Sequence, residues 1–181
     1  MDLNAVTSAR PYHDKLARLA APMDRDLRDR PPEVLASLVE LLSAPGDIDI
    51  GAVAIALQKL DVSEAALGDA VYHDATAYVR TLLYRDGRAE LLVLTWAPGQ
   101  RSPVHDHGPS AGLTRIVSGE ATERLYRRRE QGASKREHMS RILRPGTVTN
   151  TLAETLHAIS NESDAPLVTL HLYTPPLAPH G

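Results

Sequence analysis

Two hydrophobic rhythms divide the chain. Up to about residue 70 the apolar residues recur at helical spacing, and from about Tyr78 onward they come in short runs with every second residue apolar. In the first part, Pro31-Pro32-Glu33 opens PPEVLASLVELLSA, in which Val34, Leu35, Leu38, Val39, Leu41 and Leu42 form a stripe. Proline and glutamate in a first turn are start signals, and Pro45-Gly46 stops the helix. A second helix is predicted over roughly Ile50 to Lys59, with Val53, Ile55, Ala56 and Leu60 on one side, and SEAALGDAV adds a short third. Such stripes mean core packing, and no chemistry is assigned to them.

In the second part, TAYVRTLLY and AELLVLTW read as two strands around an Asp86-Gly87 hairpin turn. Further strands are predicted at SPVHDH, LTRIVSG, ATERLYRR, HMSRILRP, LHAISN and LVTLHLY, with the polar REQGASKRE a solvated loop. Helices followed by many short strands predict a mainly β fold. The expected architecture is a β-barrel at residues 76–176 under a helical N-terminal cap at residues 1–70, the whole chain forming one domain.

Composition narrows the possible functions. The 181 residues suffice for one substantial core. With 20 Lys and Arg against 23 Asp and Glu, no basic field recommends nucleic acid or an anionic membrane. No apolar run reaches the length of a membrane span, and the first residues lack the uninterrupted apolar core of a signal peptide. Cysteine is absent, which excludes disulfides, thiolate metal sites and a cysteine nucleophile. A cytoplasmic protein is expected, as a monomer or small homo-oligomer.

The histidines change the picture most. His105 and His107 are two apart in a segment read as a strand, so both imidazoles project from one face, while Asp106 points away. His157 lies on another predicted strand. Three neutral imidazoles converging from a sheet suit a divalent transition metal with positions left open for substrate. H-x-H alone is weak, because such a pair is commonly surface decoration or packing. The surrounding residues add to it: Gly99 precedes His105 by six residues, Gly119 follows His107 by twelve, Pro145-Gly146 marks a turn, and Asn161 follows His157 by four. This pattern resembles the paired motifs of the cupin superfamily, double-sheet β-barrels with an internal metal. Gly112 stands where most cupins carry a ligand glutamate, leaving three histidines and no carboxylate.

Within the cupins, the segment from Tyr78 to Pro176 is similar to cysteine dioxygenases and related bacterial thiol dioxygenases. The matching pieces come in the family's order: Tyr78-Val79-Arg80, SPVHDHGPS, His157, then LVTLHLYTPPL with Thr169, His171 and Tyr173. The resemblance implies Fe(II) held by His105, His107 and His157, a substrate carboxylate anchored by Arg80 with support from Tyr78, and a hydroxyl–His–Tyr relay of Thr169, His171 and Tyr173. Thr169 stands where relatives usually have serine, and Thr174-Pro175 matches a cis peptide in relatives. In the animal enzymes a cysteine is covalently linked to the active-site tyrosine. Here that position is Gly112, so no Cys–Tyr thioether cofactor is expected, and glycine is expected to leave space near the metal.

The implied reaction is addition of both atoms of O2 to the sulfur of L-cysteine, giving cysteine sulfinate. An arginine at position 80 accompanies cysteine as substrate in the bacterial relatives, whereas glutamine accompanies 3-mercaptopropionate. Two alternatives stay open. The same triad serves a dioxygenase for another small thiol, such as a different mercapto acid or a thiol-imidazole, and a non-catalytic ligand-sensing cupin keeps the barrel without turnover. Taken without the family, Arg80 can also be read as a surface-pairing strand arginine, Tyr78 as a packing residue and His171 as a core histidine. His13, His73, His138 and His180 are read as solvated, and Trp96 as packing at a strand end.

Overall fold

The computed structural model describes residues 22–128 and 135–178. Nine strands are present among them: β1 (Met23–Asp26), β2 (Val79–Arg85), β3 (Glu90–Trp96), β4 (Ala111–Ser118), β5 (Ala121–Arg128), β6 (Lys135–Leu143), β7 (Val148–Thr151), β8 (Leu156–Ser160) and β9 (Leu167–Thr174). They form a six-stranded sheet in the order β1-β2-β3-β9-β4-β7 and a three-stranded sheet in the order β6-β5-β8. Three α-helices, α1 (Ala36–Ser43), α2 (Ile50–Lys59) and α3 (Glu64–Leu67), precede β2, with single 3-10 turns at Glu33–Leu35 and Gly68–Ala70.

Strand alternation on the large sheet supports two separate cores. Leu91 and Val93 of β3, Leu113 of β4, and Val168, Leu170 and Leu172 of β9 pack against Leu35, Leu38, Leu42, Val53 and Leu57 of the helices and the turn before them. The intervening residues, Leu92, Leu94 and Trp96 of β3, Ile116 of β4, and Leu167 and Tyr173 of β9, turn inward to meet Ala121, Leu143 and Ile159 from the small sheet. Every residue of β3 is therefore buried, as expected of a strand covered on both faces. Arg115 ties the cap to the sheet by donating to the carbonyls of Leu57 and Gln58 at the end of α2, where cations complement the helix terminus.

The predicted hairpin is present. The Asp86-Gly87 turn joins β2 to β3, and Asp86 Oδ1 accepts from the backbone N–H groups of Arg88 and Ala89 at 2.8 Å each. Asp49 and Ser63 cap α2 and α3 by accepting from N–H groups of the first turn. Of the glycines in the cupin-like pattern, Gly119 has φ +75, and a Cβ there would lie 2.3 Å from the Pro166 carbonyl oxygen. Only glycine fits.

Four expectations need correcting. Residues 1–70 are not all helical: Met23–Asp26 is a strand pairing in parallel with β2, and residues 1–21 lie outside the described residues. Ile55 and Leu41 were placed in apolar stripes but are exposed, while Leu57 takes the buried position on α2. Val148–Thr151 forms a strand that was not anticipated, and residues 135–137 of the supposed loop belong to β6, the remainder being outside the described residues. Finally, SPVHDH is not a strand. Residues 99–105 run antiparallel to β8 through Ser102 N–H to Ile159 O at 2.9 Å and isolated bridges of Arg101 with Ser160 and His105 with His157. Pro103 has no N–H to donate and interrupts the ladder, so three residues (102 to 105) advance against two of β8.

Candidate metal centre and relay

Irregular pairing still delivers the histidines to one place. His105 exchanges both backbone hydrogen bonds with His157, N to O 2.9 Å one way and 2.8 Å the other. This bridge anchors the loop, and two residues later His107 points the same way. The three side chains offer nitrogen atoms that all lie within 4.8 Å of one another. Asp106 is not among them; its Oδ1 accepts from Gly108 N–H at 3.1 Å and shapes the turn.

The outer nitrogens show how two of the rings are oriented, while Nδ1 of His107 is buried without a hydrogen-bond partner among the described residues. Nδ1 of His157 lies 3.1 Å from Glu123 Oε1, and Nδ1 of His105 lies 2.9 Å from the Pro103 carbonyl. An imidazole that donates from Nδ1 presents the lone pair of Nε2 to the opposite side. His157 Nε2 lies 3.1 Å from His107 Nε2, close to the ~3 Å spacing that two nitrogens adopt on one ion at bond lengths of about 2.1 Å. Burial, reinforced by the neighbouring His157 and His105, pushes the pKa of His107 down to about 3, so this ring stays neutral as a ligand must. Burial raises the Glu123 carboxyl, yet hydrogen bonds with His157 and Arg141 outweigh it and hold the group below the usual range. Glu123 is thus an ionised, buried carboxylate behind His157, paired to Arg141 at 2.6 Å. A donor set of three imidazole nitrogens, two of the rings oriented by hydrogen bonds through Nδ1, fits a divalent transition metal.

Gly112 abuts this group. A Cβ there would lie 3.1 Å from both His107 Nδ1 and Tyr173 Cε1. The expectation that glycine leaves space near the metal is corrected: the room is taken by the edge-to-face contact of His107 and Tyr173, whose centroids are 4.7 Å apart.

The relay residues share the inward face of β9. Thr169 Oγ1 lies 2.8 Å from His171 Nε2, and His171 Nδ1 lies 3.1 Å from the Tyr173 hydroxyl. The spacing of two puts all three on one side of the strand. Across the sheet, Thr114 sits opposite His171, with its hydroxyl 3.2 Å from His171 Nδ1. Burial, with smaller contributions from His107, His157 and Arg80, drives His171 well below the ordinary histidine pKa. Burial likewise raises the Tyr173 phenol, against the opposing field of Arg80. Both are neutral at physiological pH.

Arg80 is largely buried on β2, with Nε 3.6 Å from Asp24 of β1, and its charge is felt at Tyr173 and His171. Tyr78 precedes β2 and stacks on Trp96 with centroids 4.4 Å apart. The structure therefore gathers His105, His107 and His157 at one point, and arrays Thr169, His171, Tyr173, Tyr78 and Arg80 along the neighbouring wall. His73 and His138 are exposed, and His13 and His180 lie outside the described residues. Thr174-Pro175 is cis.

Glu123, Thr114 and Trp96 had not been identified as members of the site. Glu123 occupies an inward position of ATERLYRR, and the alternation Ala121, Glu123, Leu125 was the available signal. Trp96, read as packing, does pack, but its indole Nε1 also donates to Thr169 Oγ1 at 3.0 Å. Asn161 of the cupin-like pattern serves the scaffold, its side chain donating to the Trp96 and Ala165 carbonyls.

Comparison with known proteins is consistent with this geometry. Residues 30–180 match the family model for cysteine dioxygenase type I. The chain is 27% identical over 154 residues to cysteine dioxygenase type 1 of Rattus norvegicus and 25% identical to that of Homo sapiens, each covering 80% of this chain and 76% of the relative. A cupin superfamily protein from Desulfitobacterium hafniense overlays with a TM-score of 0.49 at 18% identity, covering 62% of this chain and 88% of that one. A family match across five-sixths of the residues settles the affiliation: the chain belongs to the cysteine dioxygenase type I family, a thiol dioxygenase-type oxidoreductase on a two-sheet, mainly β fold with N-terminal helices.

Proposed function

We propose that this protein oxidises L-cysteine to cysteine sulfinate, using Fe(II) held by His105, His107 and His157. The observation that carries the proposal is the convergence of three imidazoles beside a buried Tyr–His–Thr chain within reach of the Arg80 field. Fe(II) held there would supply a Lewis acid that lowers the pKa of a substrate thiol and brings it beside O2.

The protein's own groups do the rest. The guanidinium of Arg80 fixes the substrate carboxylate through paired charge-assisted hydrogen bonds. The stacked ring of Tyr78 walls that end of the pocket. Tyr173, backed by His171, donates a hydrogen bond toward the bound substrate or O2. The apolar residues Leu92, Leu94, Ile116 and Ile159 keep bulk water away, which strengthens every polar contact inside. Glu123 holds the His157 ring in place. The reaction balances without a further reductant, because both oxygen atoms of O2 end on one sulfur. With no cysteine in the chain, Tyr173 has no thioether partner and acts as a free phenol.

The test is iron analysis followed by oxygen uptake with L-cysteine, 3-mercaptopropionate, a second mercapto acid and a thiol-imidazole. Uptake with L-cysteine, matched by equimolar sulfinate, is expected. Uptake confined to another thiol reassigns the substrate, and iron binding without any uptake favours ligand sensing. Arg80→Gln is expected to lower kcat/KM for L-cysteine by about 10- to 100-fold, because glutamine cannot replace the paired charge-assisted hydrogen bonds. Unchanged kinetics would remove Arg80 as the anchor.

A further inference from the structure

The indole of the chain's single tryptophan reaches the relay from behind. Trp96 ends β3, is 1% exposed, and is held on one face by Tyr78. Its N–H is a donor that cannot accept. Thr169, by contrast, has one hydroxyl proton and can point it either way. By donating to Thr169 Oγ1 at 3.0 Å, Trp96 occupies one lone pair and favours pointing the hydroxyl proton elsewhere. Two acceptors lie in reach, His171 Nε2 at 2.8 Å and the Leu94 carbonyl at 3.4 Å. The shorter contact is the stronger one. His171 Nε2 then accepts, the ring proton sits on Nδ1, and Nδ1 faces Tyr173 and Thr114 at 3.1 and 3.2 Å.

We propose that Trp96 is a positioning residue that sets the direction of this chain, Trp96 to Thr169 to His171 to Tyr173, so that the tyrosine accepts from His171 and keeps its own hydroxyl proton for the pocket. The opposite direction would have Tyr173 donate back to His171 and present lone pairs to an anionic ligand, which repels it. Threonine suits the arrangement, because its branched Cβ restricts χ1 and holds the hydroxyl between indole and imidazole. The effect on turnover rests on the thiol dioxygenase reading above, but the direction of the chain does not.

Nitrogen-15 labelling of the metal-free full-length chain, with long-range proton–nitrogen correlation of the histidine rings, reports which nitrogen of His171 carries the proton. The variants are Trp96→Phe, which keeps an aromatic ring against Tyr78 but removes the N–H, Thr169→Val, and Thr169→Ser, which restores a hydroxyl. The wild type and Thr169→Ser are expected to hold the proton on Nδ1. In Trp96→Phe and Thr169→Val the other tautomer is expected to become populated. The one indole N–H signal is expected to lose its protection from solvent exchange in Thr169→Val. With iron restored, kcat for L-cysteine is expected to fall about tenfold in Trp96→Phe while KM barely moves.

A wild-type proton on Nε2, or a Trp96→Phe protein with wild-type tautomer and wild-type kcat, would overturn the proposal. If Trp96→Phe does not fold, Thr169→Val against Thr169→Ser decides the same point. A wild type that takes up no oxygen with any thiol would defeat the functional reading, and the tautomer would still be decided by the spectra.

Discussion

The two sheets of the barrel are built on different terms. The six-stranded sheet is sandwiched between helices outside and the apolar interior inside. It carries Arg80 and the Thr169–His171–Tyr173 chain, all placed by strand alternation. The three-stranded sheet is thin: β6 is exposed along nearly its whole length, and Met139 and Ile142 lie open. Yet this side supplies His157, and an irregular loop beside it supplies His105 and His107. The large sheet backs its hydrogen-bonded groups with packing on both faces, whereas the small one relies chiefly on polar contacts, of which Glu123 to His157 is the main example. Precision on the metal side is therefore local, resting on a few hydrogen bonds.

That contrast can be broken most severely at a ligand. His157→Ala is expected to abolish iron retention in a chain that keeps its β-type circular dichroism, because the large sheet does not depend on it. Full iron occupancy in the folded variant would remove His157 from the ligand set.

The next largest effect lies in packing. Leu170→Ala, fully buried on β9 beneath the helices, is expected to cost about 2–5 kcal/mol in denaturant unfolding. Ile142→Ala on exposed β6 is expected to stay within about 0.5 kcal/mol. Equal losses at the two sites would erase the distinction between the sheets.

Glu123→Gln sharpens the comparison, since it keeps the shape and removes the charge behind His157. Iron affinity is expected to fall about 10- to 100-fold, measured by competition with a chelator, with tryptophan fluorescence unchanged. A wild-type affinity would mean that packing alone aims this ring.

The smallest effect is expected at the hairpin of the large sheet. Burial raises the Asp86 carboxyl, but backbone N–H donors from Ala89 and Arg88 and contacts from Tyr84 and Arg88 bring it to about 2. A carboxyl depressed on folding stabilises above its unfolded pKa, near 3.8, and loses that contribution as pH falls through about 2. Asp86→Asn is expected to cost about 1 kcal/mol at neutral pH and to flatten the stability curve between those limits. An unaltered curve would assign the acid limb to other carboxylates.

How much could be read in advance follows the same divide. The hairpin, β4, β5, β8 and β9, and the spacing of two that aligns Thr169, His171 and Tyr173, were legible because alternation is a short-range property of the chain. The H-x-H pair was legible too, although for an incomplete reason: the residues share a direction through one bridge to β8, not through membership of a strand. Strand β1 was hidden because Met-Asp-Arg-Asp shows no apolar alternation; it forms by lending backbone hydrogen bonds to the free edge of β2. Glu123 was hidden because a glutamate among arginines reads as surface, and only the fold turns it inward. Trp96 was recognised by its apolar ring, while its N–H gained meaning only when β9 was laid against β3.

Gly112 has a lasting consequence for the protein as a material. Where a tyrosine is anchored by a bond made after synthesis, a preparation contains tethered and untethered copies in proportions that depend on its history. Here the phenol is located by contact with a neighbouring imidazole, across a gap where a Cβ at position 112 would press on both rings at 3.1 Å. Every copy carries the same covalent structure around Tyr173 from the moment it folds, and its behaviour should not change with age or prior exposure to oxygen through that route.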